Sequence, residues 1–277
     1  MTDQIPYTVN CSILLTDLPL LERPAAAKAA GFDGVEFWWP FASPTPAADE
    51  VDAFVAALAD AGVQLTGLNF DAGDMPGGDR GLISWPERSA DLRANLDVVA
   101  RIGERTGCRA FNALYGNRVE GADPAAQDAL GAENLALAAR AVERVGGTVL
   151  VEPVSGAPAY PLRTSADAVA VLDRVRDEHG ATNLGLLFDV YHLAVNGSDV
   201  DLDLKTYGDR VAHVQVADAP GRGAPGTGDL PIQRWISDLR AAGYAGPVGL
   251  EYKAEPSGDA DPFAWLPREQ RGQGTAA

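Results

Sequence analysis

Four oxygen-bearing side chains stand at the ends of four short apolar runs in the second half of the chain. Glu152 closes TVLVE, Asp189 closes LGLLFD, Gln215 sits in VAHVQV and Glu251 follows PVGL. Each run is aliphatic and β-branched, and turn residues follow each. One carboxylate at a strand end has an ordinary explanation in a surface salt bridge. Three carboxylates and an amide in the same place of successive units do not. If these strands lie side by side, their end residues converge, and the like charges repel unless a hard divalent cation lies between them. An all-oxygen set suits Mg²⁺ or Mn²⁺ better than structural zinc. His192, three residues past Asp189, is either a fifth ligand or a substrate contact. The first expectation is therefore a metal site, and with it an enzyme.

The elements that must position these residues alternate along the whole chain. Strand-like runs fall at about 7–15, 34–39, 64–70, 109–116, 148–154, 184–190, 211–218 and 247–253. Their near-continuous apolar character suits parallel strands covered by helices. Helical periodicity marks 17–30, 49–61, 87–106, 125–145, 165–178 and 231–242, with a shorter segment at 201–209. Gly31, Gly62, Gly107, Gly146 and Gly243 stand where helices should end. Eight such alternations predict an α/β fold, a single (β/α)8 TIM barrel occupying 1–277, with an unordered tail from about 270. A doubly wound sheet is disfavoured, because CSILLTDLPLLE after the first strand has no glycine for a phosphate turn. The Gly/Pro/Asp-rich loop 71–87 reads as a lid or mobile segment, and DPFAWL reads as a last short helix.

Composition narrows the partners. The 277 residues are 46% hydrophobic and carry a formal net charge of −17. Such a chain repels nucleic acid and anionic membranes. No apolar run is long enough to span a bilayer and no leader pattern opens the sequence, so a cytoplasmic location is expected. Cys11 and Cys108 sit in apolar contexts as buried free thiols. His213 shares the parity of Gln215 and reads as a packed histidine, and His179 as an exposed one. Trp38 and Trp39 suit either stacking on a sugar or packing under a lid.

Taken together, RAFNALYGNR, LVEPVSG, YPLRT, FDVYH, HVQVADAPGR with PGTGD, GLEYK and LNFDAGDMPGGDRG resemble the hydroxypyruvate isomerase family, within the xylose-isomerase-like and sugar-epimerase-like TIM barrels. The resemblance runs from about residue 7 to 253. It implies that Glu152, Asp189, Gln215 and Glu251 hold a divalent metal. It implies that His192 of FDVYH and Arg222 of PGR contact substrate, with Lys253 as a further anion contact. The chain departs from the family pattern at Ala224, where Glu is usual, and in the paired tryptophans of EFWWPF. Both departures bear on the substrate more than on the reaction type.

The expected reaction moves a carbonyl along an α-hydroxy-carbonyl unit through an ene-diolate. One glutamate, Glu152 or Glu251, removes a proton and the other returns it to the neighbouring carbon. Hydroxypyruvate would give tartronate semialdehyde; a 2-oxo-tetronate or a ketose, the latter by 3-epimerisation, fits the same machinery. A dehydratase or a non-catalytic barrel subunit are the alternatives. A nuclease would need a histidine-rich zinc site and a basic surface, against three histidines and a charge of −17. Barrels of this kind often pair through outer helices, so a homo-oligomer stays open.

Overall fold

The computed structural model describes residues 5–254 and 261–272. Eight parallel strands close on themselves in sequence order: β1 (Tyr7–Asn10), β2 (Gly34–Phe37), β3 (Gln64–Asn69), β4 (Ala110–Asn112), β5 (Thr148–Val151), β6 (Leu184–Asp189), β7 (Val211–Val216) and β8 (Val248–Leu250). The ring is completed by β1 pairing with β8, Val9 opposite Leu250. The expected TIM barrel is the observed fold. Its outer layer is α1 (Arg23–Ala29), α2 (Ala48–Ala61), α3 (Ser89–Thr106), α4 (Pro124–Glu143), α5 (Ser165–His179), α6 (Val190–Val195), α7 (Val200–Tyr207) and α8 (Ile232–Ala241).

Side-chain alternation divides each strand between two environments. On β7, Val214 and Val216 are fully buried under the outer helices, while His213 and Gln215 point into the barrel. The apolar shell between strands and helices, with Phe54, Leu96, Leu135, Leu172 and Ile236, supplies most of the burial. The barrel interior is different. Such interiors are usually filled by branched aliphatic residues; here Leu150 and Leu187 share the space with Asn10, Glu36, Asn112, His213 and Gln215.

The strands start where the sequence places them and stop earlier. β1 ends at Asn10, because residues 11–15 turn and Leu15 adopts a φ of 60°. The five glycines at helix ends all have positive φ, between 65° and 102°, which only glycine adopts without strain. α6 has no counterpart among the expected helices. DPFAWL forms turns, not a helix, in its described residues, followed by a 3-10 turn at Arg268–Gln270. Arg271, placed by sequence in a loose tail, is instead 6% exposed. Its guanidinium donates to the carbonyls of Leu266, Ala30 and Phe263 and to Asp261. A long cation that finds carbonyls at a helix end orders its own segment. The rest of the expected tail, 273–277, lies outside the described residues.

Candidate active site

The four strand-end residues meet at the C-terminal mouth of the barrel. Register brings them there: Asp189 on β6 stands opposite Gln215 on β7, which stands opposite Gly249 on β8, with Glu251 two residues on. Glu152, Asp189, Gln215 and Glu251 are all at most 4% exposed. Ligand atoms of Glu152, Asp189, His192 and Glu251 lie within 4.8 Å of one another.

Each carboxylate is held by one oxygen and leaves the other uncommitted or weakly engaged. Glu152 Oε2 accepts from Asn112 Nδ2 at 2.7 Å. Asp189 caps α6, its Oδ1 accepting from the backbone N–H of Tyr191 (2.8 Å) and His192 (3.3 Å). Glu251 Oε1 accepts from Trp38 Nε1 at 2.6 Å and Asn10 Nδ2 at 3.3 Å. Asp189 Oδ2, Gln215 Oε1 and Glu251 Oε2 are buried and accept no hydrogen bond, although Arg222 Nη2 lies 2.9 Å from Glu251 Oε2 as an ion pair. Orphaned buried acceptors are costly. Two of them, Asp189 Oδ2 and Gln215 Oε1, on adjacent strands and beside Glu251 Oε2, fit a hard divalent cation.

The electrostatics point the same way. Burial, then the charges of Glu251 and Asp189, push the Glu152 carboxyl well above the usual carboxylate range. Burial raises Glu251 to about 7, with Arg222 opposing the rise and Asp189 adding to it. Asp189 is raised as well, again chiefly by burial. Carboxyl groups crowded in a dry site resist ionising together, and a cation relieves that.

His192 plays a different part. Its Nδ1 lies 3.0 Å from the backbone N–H of Ser155. That N–H can only donate, so Nδ1 is the acceptor and the ring proton of neutral His192 is on Nε2. Burial, then the charge of Arg222, lowers the His192 pKa to about 3 and keeps the ring neutral. Nε2 lies 3.8 Å from Glu152 Oε1 and 3.7 Å from Asp189 Oδ2. A protonated Nε2 offers no lone pair to a metal; it is a donor aimed at whatever oxygen enters between the carboxylates.

Above the carboxylates opens a cavity of about 660 Å³. Trp38, Trp39, Met75 and Leu114 give it apolar walls, and Arg80 and Arg222 face it as cations. The strand-three loop forms part of this wall. It is stitched back on itself by Gly81 N–H to the Ala72 carbonyl and to the next loop by Gly116 N–H to the Arg80 carbonyl, both 3.0 Å. Arg222 sits at a φ of 60° and its guanidinium lies 5.4 Å from the Tyr191 ring centre. Its loop is organised by Asp218, which accepts from the backbone N–H of Ala219, Leu230 and Gly226.

Lys253 is not brought to this group. It is exposed and does not line the cavity, because it lies two residues beyond Glu251 where the chain has left the barrel. Ala224 packs partly buried against the core. Sequence reasoning missed Asn10, Glu36, Asn112, Ser155 and Arg80. The signal for the first three was available as a polar residue interrupting an apolar strand: TVN, GVEF and AFN.

Carboxylates gathered at the C-terminal strand ends of a barrel sit where enzymes of this fold carry their active sites. A family model described as xylose isomerase-like TIM barrel matches residues 24–271, and the chain belongs to that family. A Streptomyces coelicolor protein named "Putative hydroxypyruvate isomerase" is 55% identical over 269 residues, 96% of each chain. A Cupriavidus necator protein named 2-oxo-tetronate isomerase is 32% identical, over 94% of this chain and 96% of that one. A crystal structure named AP endonuclease, family 2, from Brucella melitensis superposes with a TM-score of 0.83 at 30% identity, covering 95% and 98%. The chain is an enzyme of the isomerase class. Among the described residues, no helix is long and apolar enough to cross a membrane.

Proposed function

We propose that this enzyme is a divalent-cation-dependent isomerase of small hydroxy-oxo acids, converting hydroxypyruvate to tartronate semialdehyde in the cytoplasm as part of carbohydrate metabolism. The observation that carries the reading is the buried group of Glu152, Asp189, Gln215 and Glu251, in which Asp189 Oδ2 and Gln215 Oε1 have no hydrogen-bond partner and Glu251 Oε2 has only the Arg222 ion pair. These four would hold Mg²⁺ or Mn²⁺. Such a cation, when bound, supplies positive charge that offsets the carboxylates and makes a proton next to the substrate carbonyl more acidic.

The protein's own groups do the rest. Glu152 and Glu251 stand on strand ends three apart; one takes the proton from the hydroxyl-bearing carbon, the other delivers a proton to the former carbonyl carbon, and the hydroxyl proton passes to the former carbonyl oxygen. Asn112 fixes Glu152, and Trp38 with Asn10 fixes Glu251, so each presents one oxygen in a set direction. The Nε2–H of His192 donates to a substrate oxygen. Arg222 receives the substrate carboxylate, for which its planar fork is suited. Trp38, Trp39 and Met75 give the cavity apolar walls around the substrate.

A 2-oxo-tetronate is the second reading, favoured by a cavity of about 660 Å³ that holds more than a three-carbon acid. Turnover of both acids with Mg²⁺ or Mn²⁺ and after chelation tests the proposal. The expected result is metal-dependent isomerisation, reduced about 10²–10⁴-fold by Glu152→Gln or Glu251→Gln. Full activity in either variant would reject the assigned roles.

A further inference from the structure

The geometry points to Glu36 as the positioning residue that decides which face of the Gln215 amide reaches the cation site, an inference that rests on the divalent-cation reading above. Glu36 lies on β2, across the barrel from β7, and is 2% exposed. A carboxylate inside a barrel is expensive unless it is fully paired. Its Oε1 accepts from Gln215 Nε2 at 2.7 Å and from Asn10 Nδ2 at 3.3 Å, and its Oε2 lies 2.7 Å from His213 Nε2.

The consequence for Gln215 follows from donor chemistry alone. An amide has one accepting face and one donating face, and an ionised carboxylate can only accept. Facing Glu36, the amide turns its NH₂ to that carboxylate, and its Oε1 is left buried and without a hydrogen-bond partner. A flipped amide would set an N–H against a cation and remove a ligand. Asn10 extends the same clamp, since its Nδ2 also lies 3.3 Å from Glu251 Oε1. Glu36 thereby bears on two of the four proposed ligands without touching substrate.

The neighbouring residues are cut to make room for it. A Cβ on Gly249 would stand 2.6 Å from Glu36 Oε1 and 2.9 Å from Gln215 Cγ. A Cβ on Gly67 would stand 3.2 Å from the Glu36 Cβ and Oε2. Two strands thus give up side chains at the level where a barrel usually packs aliphatic ones, and the space goes to this carboxylate and the amide it holds.

The test is Mn²⁺ affinity, read from the electron paramagnetic resonance signal of free Mn²⁺, on full-length wild type, Glu36→Gln, Gln215→Glu and the double variant. Thermal unfolding of each metal-free protein fixes a common temperature at which all are folded. Glu36→Gln keeps the shape and loses the fixed polarity, so Mn²⁺ binding is expected to weaken about 10–100-fold, the usual effect of losing a partner that orients a ligand. Gln215→Glu sets two carboxylates against each other and is expected to weaken it similarly. In the double variant the donor is on β2 and the acceptor on β7, so affinity is expected to return to within several-fold of wild type. Wild-type affinity in both single variants would overturn the inference and leave the cation reading standing. Weakened singles without recovery in the double variant would also overturn it, as a general packing loss. Absence of Mn²⁺ binding by wild type would overturn the cation reading itself.

Discussion

Glu251 is gripped from three directions, by Trp38 and Asn10 on Oε1 and by Arg222 at Oε2, and its protonation should register the cation. Its folded pKa, about 7, lies above the unfolded value of ~4.3. A raised carboxyl binds an extra proton in the folded state, so its stabilising share is complete below the unfolded value and is lost as pH rises through about 7. Glu152 moves in the same direction. A cation competes with those protons. The gap between the melting temperatures with and without Mn²⁺ is therefore expected to widen from about pH 5 to about pH 7.5. A gap independent of pH would contradict the assignment. The strand-end carboxylates were legible in sequence because a charge after an apolar run stands out. Their partners were not: Asn10 meets Glu251 across 241 residues, and only barrel closure brings β1 beside β8.

At the scale of elements, alternation of strand and helix was legible because each long helix repeats its apolar face several times. α6 escaped because six residues are too short for a period to show. The strands end before their apolar runs do for a related reason: the runs continue past the last ladder hydrogen bond into loops that line the cavity, as with Val154 after β5. The loop carrying Arg222 depends on Asp218, fully buried and accepting three backbone N–H groups. Asp218→Ala orphans those donors, at a cost of about 2–4 kcal/mol. Faster tryptic cleavage after Arg222 and a raised KM are expected. An unchanged cleavage rate would show that the loop is held by other contacts.

At the scale of the molecule, a closed barrel, an acidic surface and one polar mouth fit a small anionic substrate drawn in by local cations. A net charge of −17 disfavours a polyphosphate partner, so the likeness to the structure named an endonuclease is one of family and fold. The fold was legible from the chain's rhythm alone; the polar filling of the barrel was not, because inward parity appears only once register is fixed. The claim on which the rest depends is proton transfer by two glutamates at one site. It is tested most directly by running the metal-loaded enzyme in D₂O and locating deuterium in product and recovered substrate by NMR. Deuterium at the carbon that gains hydrogen, absent with Glu152→Gln and Glu251→Gln, is the expected result. Product formed at the wild-type rate with no solvent deuterium would mean hydride transfer or return of the same proton by one shielded base, and either would contradict it.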